Sequence, residues 1–320
     1  TWTGGLKAVA WTDSLQAGVM LTVAVLSVIF IAYRGFGGFD GLFSQLEADY
    51  PSWLTVPGPG FFNINAFVGL TLPWFFFSLS NPQVSQRLFM PRSLGQMRIM
   101  VMGFLIFGFI YTLVSILWGF SARLLLPDLE LADSATPALL SLGVVPTIIA
   151  LLVMLGISAA AVSTVNSIIL TLSSMVCRDV FKNVRPEASE RLEFMVGRVF
   201  ILFFTIFIMI FATLRLDLIA ALSVASSAGL LVMVPALFGA FFWKRGTAPA
   251  VLASVIVGGL VATIFQYGGL NPLGLWPGVW SGAISLVLFI VVSFLTRPPV
   301  KKAEEFIGFL QEELDQKKII

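Results

Sequence analysis

The chain has 320 residues, of which 58% are hydrophobic and 11% are charged, and its mean hydropathy is +0.96. A soluble domain has about 25% charged residues, so this chain has too few charged side chains to cover the surface of a water-soluble globule. It has no histidine and one cysteine, Cys177, which excludes imidazole catalysis, histidine metal sites and an internal disulfide bond. We therefore predict a polytopic membrane protein.

Apolar stretches long enough to cross a bilayer recur along the chain. A spanning helix needs about 20 apolar residues, because roughly 30 Å of hydrocarbon is crossed at about 1.5 Å per residue. The sequence predicts eight such helices, at residues 14–33, 66–86, 99–120, 145–176, 195–214, 218–242, 248–267 and 277–296. This gives an all-α transmembrane domain at residues 1–300, followed by a tail at 301–320 whose apolar spacing predicts an amphipathic cytoplasmic helix on the inner membrane surface.

Positive charges are distributed unequally between alternate connecting segments. One side carries 16 of the 19 Lys and Arg residues, and the other side carries Arg34, Arg123 and Arg215. Because cytoplasmic loops are enriched in Lys and Arg, we predict that both ends of the chain face the cytoplasm. The predicted location is the plasma (inner) membrane. Residues 34–65 and 121–144 then lie outside, and the second loop predicts a short interfacial helix that starts at Asp133 and Ser134.

Two prolines flank polar residues within the predicted span 66–86. Pro73 and Pro82 each remove a backbone donor, and Ser78, Ser80 and Asn81 lie between them. Broken helices of this kind form binding sites at the membrane midplane in many secondary transporters. The alternative is an ordinary proline kink in a packing helix. We predict that the helix is interrupted between about Leu79 and Pro82 and that Trp74 faces a central cavity.

Small and hydroxyl-bearing residues are concentrated at the centre of the predicted span 145–176. Ala159, Ala160 and Ala161 allow close approach of another helix, and Ser163 and Thr164 follow directly. Two adjacent hydroxyls beside alanine carbonyls suit a hard cation that needs oxygen ligands. The alternative is that both hydroxyls only bond to carbonyls one turn earlier in their own helix.

Asp13 is an acidic residue at the cytoplasmic start of the first predicted span. An acceptor just before an apolar run commonly caps a helix. An acid at the inner mouth of a cation pathway would also lower the barrier for a departing cation. Both interpretations stay open at this point.

These segments together resemble the sodium/solute symporter family, which includes the proline and pantothenate symporters. The resemblance covers essentially the whole chain and is carried by Gly4–Asp13 with Gln16, by Trp74, Pro82 and Arg87, by Ala159–Thr164, by Ser173 and Ser174, and by Arg178–Lys182. It implies a leucine-transporter-like fold with inverted repeats and alternating access. Since the chain begins with Thr1 and matches from the fifth core helix onward, we expect that it is a piece of a longer protein.

The resemblance also implies roles for particular residues. It places one sodium ion on Ser163, Thr164 and the Ala160 carbonyl, with further carbonyls supplied by a helix that this sequence does not contain. It places Asp13 on the sodium exit route, and Trp74, Pro82 and Ser167 near the solute. The loops at Gly119–Arg123, Leu126–Leu129 and Asn183–Pro186 are most similar to pantothenate symporters. Gln83 differs from the family pattern, which leaves proline, pantothenate, a monocarboxylate or another small carboxylate open as the solute.

The function that follows is sodium-coupled import of a small organic solute, with sodium as the coupling ion and the solute, the ion and the lipid bilayer as partners. We expect no nucleic-acid partner. We also expect no enzymatic activity, because the spans lack histidine and paired carboxylates and the one cysteine, Cys177, lies near a cytoplasmic end. Two alternatives remain. One is a transporter-like sensor or signalling module, which the short tail after the last span argues against. The other is coupling to protons, for which the predicted spans contain no acidic carrier.

Overall fold

The computed structural model describes residues 5–58, 63–214 and 219–316. Every secondary-structure element in these ranges is helical, as the apolar spans predict. Arg215, Lys317 and Lys318, which contribute to the predicted charge asymmetry, lie outside the described residues. The helices are α1 (Gly5–Phe36), α2 (Phe39–Asp49), α3 (Ile64–Ser80), α4 (Pro82–Ser85), α5 (Leu94–Leu125), α6 (Ala135–Ser141), α7 (Thr147–Met175), α8 (Lys182–Val184), α9 (Glu190–Thr213), α10 (Ile219–Leu231), α11 (Val234–Phe242), α12 (Ala248–Tyr267), α13 (Pro277–Leu295) and α14 (Val300–Gln316).

Seven helices in the described ranges are long and apolar enough to cross a membrane. They are Ala10–Phe36, Leu94–Leu125, Thr147–Val184, Glu190–Thr213, Leu222–Phe242, Ala248–Tyr267 and Pro277–Leu295. Each coincides with a predicted span. The remaining prediction, at 66–86, corresponds to α3, which has 17 residues. It is shorter than predicted because the helix ends at Ser80, before Pro82.

The predicted span 218–242 is divided into two helices, α10 and α11, which are separated at Val232 and Met233. Pro235 has no N–H to donate to the preceding turn. The carbonyl of Val232 instead accepts a hydrogen bond from Ser285 Oγ at 2.7 Å, on α13. A buried serine from a neighbouring helix thus stabilises this break, because it satisfies a carbonyl that the helix leaves unpaired.

Two short helices lie in loops between the spans; the sequence predicted one of them and not the other. The helix predicted near Asp133 is present as a 3-10 turn at Ala132–Ser134 followed by α6. By contrast, α2 lies in the loop 34–65, for which no helix was predicted. Its Leu42 and Leu46 are buried, so tertiary packing of one face stabilises a helix that is too short to be stable alone.

The tail forms α14, as its apolar spacing predicts. Phe306 contacts the Phe241 ring of α11, with 5.9 Å between ring centroids. The predicted position of α14 on the membrane surface stays a prediction.

The helices form two compact units, residues 1–54 with 86–218, and residues 55–85 with 219–320. The first unit is organised around α1, α5 and α7. Its apolar core contains Val23, Ile31, Ala122, Leu139, Leu140, Val145 and Val153. Helices α1 and α7 lie close together because Gly156 faces α1, where an added Cβ would lie 3.4 Å from Met20 Cγ.

The second unit contains α3, α4 and α10–α14. Its helices approach one another at small residues. An added Cβ on Gly69 would lie 2.4 Å from Trp276 Cγ, and one on Gly239 would lie 2.3 Å from Phe289 Cζ. These glycines therefore allow bulky rings of the neighbouring segment to pack directly on the backbone.

Candidate cation and solute sites

The predicted cation ligands converge on one carbonyl of α7. Ser163 Oγ donates to the Ala160 carbonyl oxygen at 3.0 Å, and Thr164 Oγ1 donates to the same oxygen at 2.9 Å. Ser163 is half-buried and Thr164 is exposed. The three oxygens predicted to hold sodium therefore lie together, with both hydroxyls in the back-bonded arrangement that helical Ser and Thr residues commonly adopt.

These hydrogen bonds leave the hydroxyl oxygens able to act as ligands. A hydroxyl that donates its hydrogen keeps two acceptor lone pairs, and its hydrogen rotates to suit the surroundings. The Ala160 carbonyl, in contrast, accepts both hydroxyls in addition to the N–H that reaches it four residues on in the helix, and it has only two lone pairs. A cation at Ala160 therefore requires at least one hydroxyl to turn its hydrogen away. The donor set consists of neutral oxygens, which fits a hard monovalent cation that must be released again.

Asp13 and Ser167 are joined by a residue that was not predicted as part of a site. Arg87 Nη2 donates to Asp13 Oδ2 at 2.6 Å and to Ser167 Oγ at 2.7 Å. Asp13 lies on α1, Ser167 on α7 and Arg87 on a 3-10 turn at Gln86–Phe89. A single guanidinium nitrogen thus connects three elements of the first unit.

The acid of this ion pair is more buried than its basic partner. The side chain of Asp13 is 15% exposed and that of Arg87 is 38% exposed. Asp13 Oδ1 and Gln16 Oε1 are buried and have no hydrogen-bond partner in the described part of the chain. One carboxylate oxygen of Asp13 therefore stays available while the other is bound to Arg87.

The position of Asp13 excludes the helix-capping interpretation. Helix α1 begins at Gly5, so Asp13 lies about two turns inside the helix and not at its start. It also lies within the apolar span Ala10–Phe36, whereas the sequence predicted a span that began after it. The residue is consequently an acid inside a spanning helix, with Arg87 as its counter-ion.

A second polar contact joins the same 3-10 turn to α7. Thr171 Oγ1 lies 2.9 Å from Gln86 Oε1 and donates to the Ser167 carbonyl at 2.8 Å. Neither Gln86 nor Thr171 was predicted as a site residue. The sequence contained one signal for this turn, namely that Arg87 follows Pro82 by five residues in the pattern that resembles the symporter family.

The second unit contains the predicted break in the apolar helix. Helix α3 ends at Ser80, Asn81 has extended backbone angles, and α4 begins at Pro82. Asn81 Oδ1 accepts the Gln83 N–H at 2.9 Å. Ser85 Oγ lies 3.1 Å from the Leu79 carbonyl and 3.4 Å from that of Ser78, which is the carbonyl that an N–H at position 82 would reach in a continuous helix. The interruption predicted between Leu79 and Pro82 is present.

Trp74 and Pro82 lie on opposite sides of this break region. The Trp74 side chain is 45% exposed, and its ring contacts that of Phe77, with 4.8 Å between centroids. Pro73 is buried, and an added Cβ on Gly278 would lie 3.2 Å from Pro73 Cγ. Pro73 therefore packs, while its neighbour Trp74 presents an aromatic surface. That this surface lines a central cavity stays a prediction.

The described residues contain no group of three or more Asp, Glu, Cys or His side chains that could hold a metal ion.

The described ranges thus contain seven helices able to cross a membrane, an apolar helix broken at Asn81 and a hydroxyl-bearing α7, which together indicate a multi-pass membrane protein. Residues 1–258 match the profile of the Sodium:solute symporter family. The chain belongs to this family. Its named relatives are transporters, so the prediction that the chain is not an enzyme is confirmed.

Relatives of known type include two proline transporters of Bacillus subtilis. The osmoregulated proline transporter OpuE is 24% identical over 98% of this chain and 64% of its own length. The high-affinity proline transporter PutP is 26% identical over 98% and 66%. The sodium/pantothenate symporter of Haemophilus influenzae is 24% identical over 95% and 63%. The chain thus spans less than two thirds of the length of these curated relatives.

A solved structure of a Na⁺-coupled sialic acid symporter, in a substrate-bound outward-open state, is 23% identical to this chain. It superposes with a TM-score of 0.67 and covers 93% of this chain and 64% of its own. The likeness shows the fold, and it confirms the predicted all-α, leucine-transporter-like class.

Proposed function

We propose that this chain is part of a sodium-coupled importer of a small organic solute that works by alternating access. The observation that carries the proposal is the convergence of Ser163 Oγ and Thr164 Oγ1 on the Ala160 carbonyl, in a chain that belongs to the sodium:solute symporter family.

Sodium would bind at these three oxygens together with ligands from elsewhere in the protein. Oxygen ligands replace the hydration shell that an ion loses on entering the membrane. The proposed ligands carry no formal charge, so they would hold the ion loosely enough for release on each cycle. Bound sodium would raise the affinity for solute, and by linkage the solute would raise the affinity for sodium by the same factor.

The proposed solute is a small carboxylate such as proline or pantothenate. The names of the relatives support this class, since they include proline transporters and a pantothenate symporter. Trp74, Pro82 and Ser167 would line its site. Ser167 has a direct contact with Arg87, so a solute near Ser167 would lie beside a cation as well.

Asp13 would lie on the route by which sodium leaves. Its free Oδ1 is buried beside the Arg87 ion pair, where a departing cation would gain a transient ligand. The same position keeps proton coupling as the second candidate, because Asp13 is an acid inside a spanning helix. A sensor or signalling role is the third candidate, and no described contact favours it.

The proposed location is the plasma (inner) membrane, with both ends of this chain in the cytoplasm. The support is the distribution of charge, 16 of 19 Lys and Arg residues on one side, together with the excess of positive charge in cytoplasmic loops. Residues 1–300 would form the transport domain and residues 301–320 the amphipathic tail.

The test is uptake of radiolabelled proline and pantothenate by the full-length protein in proteoliposomes. We expect an inward sodium gradient to drive accumulation and an inward proton gradient without sodium to fail. Accumulation driven by protons alone would replace sodium coupling with proton coupling through Asp13. Solute binding without accumulation under either gradient would favour the sensor.

A further inference from the structure

A cavity of about 890 Å³ lies between the end of α7 and the start of α9, within the first unit. Its walls include the π-helical turn Val176–Phe181, which continues α7, and the first turns of α9. No proposed ion or solute ligand lines it.

The mouth of the cavity is held together by a local polar network. Lys182 Nζ forms an ion pair with Glu193 and donates to the Ala188 carbonyl at 3.0 Å. Cys177 Sγ donates to the Glu193 carbonyl at 2.9 Å. These contacts join the π-helical turn and α8 to Ala188 and the start of α9, and they leave the charge of Lys182 neutralised.

The remaining charges at the mouth are predominantly positive. Arg178 and Arg191 line the cavity, are exposed, and have no hydrogen bond or ion pair with any described residue. Arg198 lies over the Phe194 ring, 4.5 Å from its centroid. Glu190 is the acidic lining residue outside the Lys182 pair. Arg178 and Arg191 therefore outnumber Glu190, the one carboxylate outside the Lys182 pair, which favours an anionic ligand.

Farther from Arg178 and Arg191 along α7 and α9, the cavity lining is largely apolar apart from Arg198. Leu170, Gly197 and Ile201 line it. Ser173 and Ser174 also line it, but both hydroxyls donate to the Leu170 carbonyl, at 3.0 and 2.7 Å. Their donors are thus occupied within the helix, and this part of the wall suits a hydrocarbon chain.

We propose that this cavity is a binding site for an anionic phospholipid of the cytoplasmic leaflet. The phosphate would lie between Arg178 and Arg191, and an acyl chain would extend along Gly197 toward Ile201. Arginine binds phosphate with paired, charge-assisted hydrogen bonds. Basic pockets between spanning helices on the cytoplasmic side bind anionic headgroups. The proposal depends on the proposed membrane orientation and not on the identity of the solute.

This site differs from the general attraction of basic residues to a membrane surface. Exposed arginines at the end of a helix extend toward headgroups without selecting one lipid molecule. A concave site with a cationic mouth and an apolar floor holds one lipid and is saturable. The two situations predict different binding curves.

The experiment measures retention of phosphatidylglycerol by the purified full-length protein in phosphatidylcholine nanodiscs of increasing phosphatidylglycerol content, with native mass spectrometry as the readout. We expect saturable retention. The double variant Arg178→Gln/Arg191→Gln should weaken retention about 30-fold, because each arginine beside an anionic headgroup strengthens binding by roughly a factor of five. Arg178→Lys/Arg191→Lys, which keeps the charge, should retain the lipid more strongly than the Gln variant.

Two controls make the result specific. Lys301→Gln/Lys302→Gln removes the same charge from α14, which is predicted to lie on the same side, and should leave retention unchanged. Gly197→Leu changes no charge and should weaken retention by filling the apolar part, where an added Cβ lies 4.0 Å from Cys177 Cβ. Size-exclusion chromatography and the thermal unfolding midpoint of each purified variant show that it is folded.

Three outcomes would overturn the proposal. Retention that rises linearly without saturation would indicate a diffuse surface effect. Equal losses in the cavity variant and the α14 variant would indicate net charge alone. Displacement of the lipid by millimolar inorganic phosphate, with Gly197→Leu unaffected, would indicate a site for a free anion.

Discussion

Ser163 and Thr164 provide the sharpest test at the scale of single residues. Both hydroxyls lie on the Ala160 carbonyl. If they bind sodium, Ser163→Ala and Thr164→Ala should each raise the sodium concentration for half-maximal uptake about tenfold. The reason is that the loss of one oxygen in contact with a charge weakens binding by roughly this factor or more. Ser173→Ala is the control, since its Oγ is back-bonded to Leu170 in the same helix at 3.0 Å. Equal behaviour of all three variants would show that the hydroxyls only bond within the helix.

Asp13 is the second residue for which the structure gives a directional prediction. Its role on the exit route predicts that Asp13→Asn lowers the maximal uptake rate about tenfold. The departing sodium ion would lose one contact with a carboxylate, and the barrier to its release would rise. The half-saturating sodium concentration should change less, because Asp13 is not a ligand of the proposed site. Glu193→Gln is the matched control, since it breaks a different ion pair of the first unit, with Lys182. If both variants reduce uptake alike, the effect of Asp13 is on packing and not on ion release.

At the scale of elements, the break between α3 and α4 determines what Trp74 does. A straight helix through Asn81 and Pro82 would use the Leu79 carbonyl internally, whereas here Ser85 Oγ lies 3.1 Å from it. We expect Trp74→Ala to raise the half-saturating solute concentration about tenfold, because the solute would lose an aromatic contact, with little change in the half-saturating sodium concentration. Phe75→Ala is the control on the adjacent residue, whose side chain is 74% exposed. Unchanged solute kinetics for Trp74→Ala would identify Trp74 as a packing residue.

At the scale of the whole molecule, the charge asymmetry predicts the topology. In a Cys177→Ser background, Val56→Cys in the predicted outer loop should react with an impermeant thiol reagent in intact cells, while Lys244→Cys should react only after permeabilisation. Val56 is 82% exposed. The cysteine is placed at Lys244 and not at the nearby Gly246 of the same loop, because an added Cβ at Gly246 would lie 3.1 Å from Phe289 Cζ and disturb the packing. The reverse labelling pattern would contradict the orientation, and with it the side of the membrane on which Arg178 and Arg191 lie.

The sequence by itself determined the spans, the class of protein and the position of the α3–α4 break. These properties depend on contiguous residues: a run of apolar side chains partitions into hydrocarbon wherever the chain carries it, and Pro82 disrupts its own turn whatever lies nearby. The small-residue and hydroxyl pattern of α7 is equally local. It was therefore possible to predict that Ala160, Ser163 and Thr164 lie together, since residues three and four apart share one face of a helix.

Only the tertiary structure decided which distant residues meet. Arg87 contacts Asp13 and Ser167 across 74 and 80 residues of sequence, and no periodicity within a segment reports such a contact. The same holds for Ser285, which supports the break after Leu231 from another helix, and for α2, which is stabilised by burial of Leu42 and Leu46. In each case a polar group or an apolar face is satisfied by a partner that packing brings close. The physical reason is that hydrogen bonds and burial depend on distance in space, whereas a sequence pattern records only distance along the chain.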